Sequence, residues 1–326
     1  MDQSLKPDLL MIMYKAFFGL RENPFAVNPD PHFLVPTHEV EEAISSLIYC
    51  IQQRRGFILL TGEVGTGKTT LLNLFLDWLR EAGVASAFIF NPRLDPIEFF
   101  DFMMTDFGIP CESSLKSQKL IRLNHWLLER YRAKQTAVLV IDEAQNLSTE
   151  VLEEIRLLTN LETAREKLLQ IVLAGQPELE DKLSRPELRQ LRQRITLRCK
   201  TRPFDGKETE AYINERLRIS GRNGRPIFTS KAVERIYYYS GGIPRVINLI
   251  CDHALIIAYA EERQSVSPAI IDAVGMDFDL GRRQGSSAPA PANGDGTQAR
   301  GDSVPMDLPA LVEPLGRLDV DKKCSR

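Results

Sequence analysis

The sequence lacks long apolar runs and closely spaced cysteines. No segment reaches the roughly 18 consecutive apolar residues that a membrane-spanning helix needs. The apolar run at residues 9–13 is too short to span, and no small-residue cleavage site follows it, so we predict neither a membrane span nor a signal peptide. The absence of any C-x-x-C motif favours reduced, mostly buried thiols and a cytoplasmic location. The five cysteines are Cys50, Cys111, Cys199, Cys251 and Cys324.

The chain also lacks a strong excess of charge of either sign. Its 41 lysines and arginines and its 44 aspartates and glutamates leave a formal net charge of −3. Bulk charge therefore does not favour nucleic acid as a partner, although a local basic patch is compatible with these counts. With 326 residues, of which 43% are hydrophobic, the chain can bury a sizeable core and is long enough for about two domains.

Short apolar segments alternate with helical patterns between residues 37 and 203. Continuous apolar segments of strand length are typical of parallel strands that are buried on both faces. We therefore predict an α/β fold with a five-stranded parallel sheet covered by helices. The predicted strands are 57–61, 85–90, 137–141, 168–174 and 195–200. The predicted helices are one that starts at Thr37 or His38 and ends before Arg54, then 69–80, 96–107, 115–132, 149–163 and 187–194.

The composition changes on both sides of this α/β region. Residues 14–36 are rich in proline, asparagine and aromatics, so we predict that residues 1–36 form an irregular, packed lead-in. After residue 203 the strand signals stop, and residues 204–280 predict a small all-helical lid domain with helices at 207–219, 230–239, 244–260 and 268–278. Residues 281–326 contain no aromatic side chain and are dominated by Gly, Ser, Ala, Pro and Asp, so we predict a disordered tail.

A glycine-rich segment between the first predicted strand and the next helix matches the phosphate-binding pattern G-x-x-x-x-G-K-[ST]. Glycines allow a tight loop whose backbone N–H groups point at phosphate oxygens, and the helix that follows presents its N-terminus to the same anion. Lys68 would reach the β- and γ-phosphates of ATP, and the Thr69 hydroxyl would bind Mg²⁺. The residues predicted to bind the nucleotide here are Gly62, Glu63, Val64, Gly65, Thr66, Gly67, Lys68, Thr69 and Thr70.

Two carboxylates follow the buried third strand, at 142 and 143. Ligands of parallel sheets bind at the carboxyl ends of the strands, so both carboxylates should face the phosphates. Asp142 would hold Mg²⁺, directly or through water, and Glu143 would polarise the attacking water. An isolated Asp-Glu pair after a strand is usually a helix cap, but after a phosphate-binding loop we favour the metal ligand and the base.

Three further groups are candidates for the γ-phosphate. Asn91 and Gln176 each follow a predicted strand, where a turn residue is the ordinary alternative. The arginine-dense segment 185–194 could be a solvated helix face, a basic surface for nucleic acid, or an arginine finger that reaches a neighbouring subunit.

In this order the motifs resemble an AAA+ ATPase, that is, a P-loop NTPase with a helical lid. The resemblance implies that Gln176 is sensor 1, that Asn91 is the glutamate switch and that Arg245 is sensor 2. It makes Arg192 and Arg194 the finger candidates without deciding between them. It also implies ATP and Mg²⁺ as cofactors and ATP-dependent homo-oligomers, either rings or filaments.

Seven segments narrow the resemblance to the ExeA (general secretion pathway protein A) family, from about Tyr14 to Phe278. This family implies a bacterial ATPase of envelope assembly, in type II secretion, pilus biogenesis or exopolysaccharide and exosortase systems, with a membrane-associated protein partner. It also places Pro24 and Phe25 near the adenine and allows a peripheral position at the inner membrane through that partner. The segments are 14–20, 23–25, 62–70, 141–147, 175–179, 189–195 and 240–248.

Secretion-type members of that family continue into a membrane span and a periplasmic peptidoglycan-binding domain. Only a polar tail follows the predicted lid here, which favours a soluble ATPase that acts through a partner. The alternatives are a transposition-regulator ATPase that acts on DNA and a nucleotide-dependent scaffold with little turnover. Acidic stretches such as 178–181 do not support the DNA alternative strongly, and the intact set of catalytic residues argues against the scaffold.

Overall fold

Five short apolar strands form one parallel sheet in the computed structural model, which describes residues 14–90, 93–222 and 224–280. The strand order is β2-β3-β4-β1-β5, and every pair of neighbours is parallel. This confirms the predicted α/β class and the five-stranded sheet. The strands are β1 (Phe57–Gly62), β2 (Ala85–Ile89), β3 (Ala137–Ile141), β4 (Leu169–Gly175) and β5 (Leu197–Thr201).

Helices connect these strands, and side chains cap several of them. Thr37 caps α1, Ser148 caps α5, and Asp95 with Glu98 forms a capping box on α3. The helices are α1 (His38–Gln52), α2 (Lys68–Glu81), α3 (Pro96–Asp106), α4 (Lys116–Arg132), α5 (Thr149–Leu158), α6 (Pro177–Leu183) and α7 (Arg189–Arg192).

Two predicted helices in this region have the wrong extent, and one helix was not predicted. The helix predicted at 149–163 ends at Leu158, because the chain turns there and an antiparallel bridge pairs Glu162 with Lys167. Helix α6 was missed, although Pro177 in its first turn is a typical start signal. The segment predicted as one helix at 187–194 is a 3₁₀ turn at Pro186–Leu188 followed by the four residues of α7.

Alternating residues of the strands pack on opposite faces of the sheet. Ile58 and Leu60 of β1 face α1 and α2, whereas Phe57 and Leu59 face the cluster formed with α3, α4 and α5. Every residue of β1, β3 and β4 is buried, so both faces of the central sheet are covered. This packing fixes the carboxyl ends of β1, β3 and β4 side by side.

The helical region after β5 has its own core. Its helices are α8 (Gly206–Ile219), α9 (Ser230–Ser240), α10 (Pro244–Ala260) and α11 (Pro268–Asp277). Tyr14, Phe18 and Phe25 of the lead-in are fully buried in this same core, so the lead-in packs against the lid helices. None of the helices among the described residues combines the length and the apolarity needed to cross a membrane. The predicted tail at 281–326 lies outside the described residues.

Candidate nucleotide-binding site

The glycine-rich loop joins β1 to α2 as the sequence predicts. Gly65 and Gly67 have positive φ angles of 81° and 94°, which L side chains rarely adopt. Gly67 is the N-cap of α2, and no side chain of the described residues caps this helix end. The first N–H groups of a fourteen-residue helix therefore face the cavity described below without a protein side-chain partner, an arrangement suited to an anion.

Lys68 lies within this loop and is only 5% exposed. Its Nζ donates hydrogen bonds to the carbonyl oxygens of Gly62 at 2.7 Å and of Glu63 at 2.8 Å. Burial lowers the pKa of Lys68, while the neighbouring carboxylates of Glu143 and Asp142 act in the opposite direction. The ammonium group thus holds the loop and can exchange its carbonyl partners for phosphate oxygens.

Thr69 and Asp142 supply two oxygen atoms on the other side of the loop. The Thr69 hydroxyl donates to Asp142 Oδ2 at 3.1 Å, and the Glu143 N–H donates to Asp142 Oδ1 at 2.8 Å. Within the described residues, no three His, Cys, Asp or Glu side chains form a ready-made metal cluster. One hydroxyl and one carboxylate fit Mg²⁺, which is usually bound by one or two carboxylates together with substrate phosphates.

Glu143 follows Asp142 with a backbone in the left-handed region, at φ 52°. Gln176, which directly follows β4, donates its side-chain amide to Glu143 Oε2 at 3.1 Å. Gln145 donates its amide to the same oxygen. The structure thus brings the predicted base and the predicted γ-phosphate sensor into contact, and it adds Gln145, which sequence reasoning missed.

These groups border a cavity of about 380 Å³ between the sheet, the lead-in and the lid, a size suited to a small-molecule ligand. Residues Val64 to Thr70 of the loop, Glu143 and Gln176 line the cavity. Arg245, at the start of α10, lines it from the lid, and its N–H donates to the Gly65 carbonyl at 3.2 Å. The predicted sensor on the lid is therefore placed beside the phosphate-binding loop.

Pro24 and Phe25 are not among the described residues that line this cavity. The Phe25 ring is fully buried against Phe228 in the lid core, so the aromatic signal at this position reflects packing. Residues 27–30 and 33–35 line the cavity instead. Pro24 and Phe25 thus lie next to the lining of the cavity rather than in it, and a position near the adenine stays a prediction for this region.

Arg216 on α8 holds this segment in place. Its guanidinium donates to the carbonyl oxygen of Pro24 and to the Tyr212 hydroxyl at 2.6 Å, and it lies 4.6 Å from the centre of the Phe33 ring. Tyr212 in turn donates to Asn248 Oδ1 at 3.0 Å. Tyr212, Arg216 and Asn248 are buried and line the cavity. Tyr212 and Arg216 belong to none of the seven segments, and Asn248, which ends the segment 240–248, had no predicted role.

The predicted site residues not yet described are Asn91, Arg192 and Arg194. Asn91 lies outside the described residues. Arg194 Nη1 donates to the Thr159 hydroxyl at 2.7 Å, which ties it to the end of α5. Arg192, the last residue of α7, is exposed, and its side chain forms no hydrogen bond or ion pair within the described part of the chain. Neither arginine lines this chain's own cavity.

Replacing Asp142 with Asn is expected to raise the melting temperature of the nucleotide-free protein by a few degrees at about pH 7. Burial raises the pKa of Asp142, so its charged form destabilises the folded state increasingly as the pH rises from the pKa of the unfolded chain to that raised value, and fully above it. Asparagine carries no charge, and its oxygen can still accept from the Glu143 N–H while its NH₂ group donates to the Thr69 hydroxyl. Thermal melts at about pH 7 and pH 5 should show the gain shrinking at the lower pH, and Mg²⁺ should no longer add to the stabilisation by ATP. A lower melting temperature at pH 7 would contradict this account.

Residues 51–183 match the protein family described as AAA domain. This match, the parallel sheet and the glycine-rich loop together define the class of the chain: it is an AAA-type P-loop protein. The chain is also 45% identical, over 249 residues and 76% of its length, to general secretion pathway protein A of Aeromonas hydrophila. The resemblance to that protein, inferred from the seven segments, is therefore confirmed. The aligned residues span 45% of the relative, which is less than half of its length.

Solved structures share the fold at low sequence identity. The Drosophila ORC bound to DNA superposes with a TM-score of 0.62 at 18% identity, covering 86% of this chain and 68% of that one. The Aeropyrum pernix ORC2 protein in its ADPNP and ADP complexes gives 0.56 at 16%, over 73% and 67%. RuvB of Thermotoga maritima gives 0.51 at 17%, over 75% and 70%.

Proposed function

We propose that this chain binds ATP with Mg²⁺ and hydrolyses it to ADP and phosphate. The observation that carries the proposal is that three kinds of group meet at a single cavity. They are one buried ammonium group, a hydroxyl and a carboxylate that can bind Mg²⁺, and a second carboxylate that is held by side-chain amides. Lys68, Thr69, Glu143 and Gln176 line the cavity, and Asp142 lies directly behind Thr69, whose hydroxyl donates to it. They come from three neighbouring strand ends, so the sheet itself fixes their relative positions.

Each residue has a distinct role in this reaction. The N–H groups at the start of α2 and the Lys68 ammonium bind and orient the β- and γ-phosphates. Thr69 and Asp142 hold Mg²⁺, which neutralises charge on the phosphate oxygens when it is bound. Glu143 orients the attacking water and accepts its proton, while Gln176 is placed to sense the γ-phosphate. The assignment is tested by the variants of Glu143 and Lys68 treated in the Discussion.

We assign the arginine finger to Arg192 rather than Arg194. Arg194 is held by Thr159 and therefore serves the junction between α5 and the end of α7. The Arg192 side chain is exposed to solvent and does not line this chain's own cavity. It can therefore complete the site of a neighbouring subunit in an ATP-dependent homo-oligomer. Among the described residues, neither finger candidate lines this chain's own cavity, and this supports a homo-oligomer in which a neighbouring subunit supplies the finger.

Arg192→Ala is expected to lower the turnover of the assembled protein by about 1000-fold, because a finger in trans stabilises transition-state charge. Affinity for ATP should change little. Arg122→Ala, an exposed arginine on α4, is the matched control. Mixing Arg192→Ala with Glu143→Gln should restore activity that neither variant has alone, since one supplies the base and the other the finger. Full activity of Arg192→Ala at all protein concentrations would exclude the assignment.

For the biological process, we propose that ATP hydrolysis drives or regulates assembly of a bacterial envelope complex. The support is the 45% identity to general secretion pathway protein A over 249 residues, which are 76% of this chain. In this proposal the protein is cytoplasmic and reaches the inner membrane through a membrane-associated partner. Co-purification of such a partner only with ATP and the Glu143→Gln variant, in which hydrolysis is blocked, would support the proposal. Identical partners without nucleotide would argue against it.

One structural feature favours the alternative in which the ATPase acts on DNA. Basic side chains lie in the loops at the amino ends of the strands, away from the carboxyl ends that border the cavity. There, Arg54 Nη2 donates to the Gln135 carbonyl at 3.0 Å, and Arg54 Nε lies 3.4 Å from Glu166. These contacts join the loops before β1, β3 and β4. The exposed basic residues of these loops include Arg55, Lys134 and Arg165, and the exposed Arg132 ends α4 beside them in the chain. Salt-sensitive DNA binding that stimulates ATP hydrolysis would favour this alternative.

A further inference from the structure

The catalytic carboxylate is held by two amides, and only one of them belongs to the predicted sensor. Glu143 Oε2 accepts hydrogen bonds from Gln176 Nε2 and from Gln145 Nε2. The other oxygen, Oε1, accepts no hydrogen bond from the described residues. One oxygen of the carboxylate is thus anchored by the protein, and the other can meet the attacking water.

The orientation of the Gln145 amide follows from its second partner. The backbone N–H of Gln176 lies 3.1 Å from Gln145 Oε1. A backbone N–H can only donate, so the side-chain oxygen of Gln145 must face Gln176. Its NH₂ group must then face Glu143, where it meets an acceptor. A single side chain therefore joins the base to the turn that carries the sensor.

The backbone around Gln145 is built for this contact. A side chain on Gly175 would bring its Cβ to 2.7 Å from Gln145 Oε1 and 2.9 Å from Leu179 Cδ2, so the Gln145 amide would have to move from its present position. Lys182 on α6 donates to the carbonyl oxygens of Gln145 at 2.6 Å and of Leu147 at 2.7 Å. The turn that carries Gln145 is therefore tied to both β4 and α6.

We propose that Gln145 is a positioning residue for ATP hydrolysis, which fixes Glu143 Oε2 and couples the base to the sensor turn at Gln176. The inference rests on the proposed function, because it concerns the same hydrolytic site. It assigns to Gln145 no contact with the nucleotide: its two side-chain partners are the carboxylate of Glu143 and the backbone of Gln176. Gln145 acts on the rate through the direction in which the carboxylate points.

Removing the amide should therefore lower kcat and leave nucleotide binding unchanged. Gln145→Ala is expected to reduce kcat by about 10- to 100-fold, since displacement of a catalytic group by about 1 Å can cost that much. Gln145→Glu keeps the shape and the acceptor for Gln176, but when ionised it cannot donate to Glu143 and repels it, so kcat should fall at least as far. KM and the dissociation constant for ATP should stay within about twofold of the unmodified protein.

A double-mutant cycle separates positioning of the base from a general structural role. If Gln145 acts through Glu143, then Gln145→Ala should cost nothing further in a protein that already carries Glu143→Gln. Gln118→Ala, an exposed glutamine on α4, is the matched control and should leave kcat unchanged. Melting temperatures of all variants, measured with and without ATP, show whether the fold and binding are kept.

The outcomes distinguish this inference from the proposed function. If the unmodified protein shows no Mg²⁺-dependent hydrolysis, or if Glu143→Gln does not reduce it, the proposed function fails. If both of those results are as expected and Gln145→Ala retains full kcat, only the role of Gln145 is refuted. An additional loss of rate in the Glu143→Gln background would also contradict it, because the effect would not pass through the base.

Discussion

Glu143→Gln is expected to bind ATP as tightly as the unmodified protein and to hydrolyse it about 100- to 10,000-fold more slowly. Glutamine keeps the size of the side chain and can still accept the amide hydrogen bond from Gln176. It cannot take a proton from water, however, so the step that depends on a base is lost. Asp142, Thr69 and Lys68 remain, which is why binding of Mg²⁺ and ATP should survive.

Single-turnover hydrolysis and calorimetric titration measure the two halves of this expectation separately. Glu234→Gln, which changes an exposed glutamate on α9, serves as the matched control and should behave as the unmodified protein. Phosphate release by Glu143→Gln at a near-normal rate would refute the role of Glu143 as base. Loss of ATP binding in this variant would instead show that the carboxylate has a structural role in the site.

Lys68→Ala is expected to weaken ATP binding by about 100-fold or more, because charge-assisted hydrogen bonds to phosphate contribute about 3 kcal/mol. The Lys68 ammonium also bridges the carbonyl oxygens of Gly62 and Glu63, so its removal loosens the loop itself. Because Lys68 is a buried cation whose pKa is lowered by burial, its loss should not prevent folding.

Calorimetric titration with ATP gives the affinity, and a thermal melt without nucleotide confirms that the variant is folded. Lys231→Ala, at an exposed position on α9, controls for the general loss of a positive charge. An ATP affinity of Lys68→Ala equal to that of the unmodified protein would rule out the loop as the phosphate-binding site.

The parts of the site that could be predicted from the sequence are those encoded by local patterns. The phosphate-binding loop, β3 and the pair Asp142 and Glu143 depend on short runs of residues whose spacing and burial are visible without a structure. Helix α6 was missed although it begins with a proline, because its apolar positions are few and it has only seven residues. Helix periodicity needs a longer window.

Contacts between distant segments could not be predicted in the same way. Gln145 meets Gln176 across 31 residues, and Arg216 meets Pro24 across 192, so neither pairing leaves a local pattern. The sequence also does not show that the Phe25 ring is buried in the lid core while the neighbouring residues 27–30 and 33–35 line the cavity. Arg192 and Arg194 look alike in the sequence, and only the hydrogen bond from Arg194 to Thr159 distinguishes them.

The roles proposed for the residues of this cavity all require that the protein hydrolyses ATP there. The decisive measurement is steady-state phosphate release from ATP by the purified protein, with Mg²⁺ and with Mg²⁺ removed by a chelator, beside Lys68→Ala and Glu143→Gln prepared in the same way. We predict release that requires Mg²⁺ and is about 100-fold slower or more in both variants when ATP is below saturation. Equal release from all three proteins, or release that persists without Mg²⁺, would contradict the account.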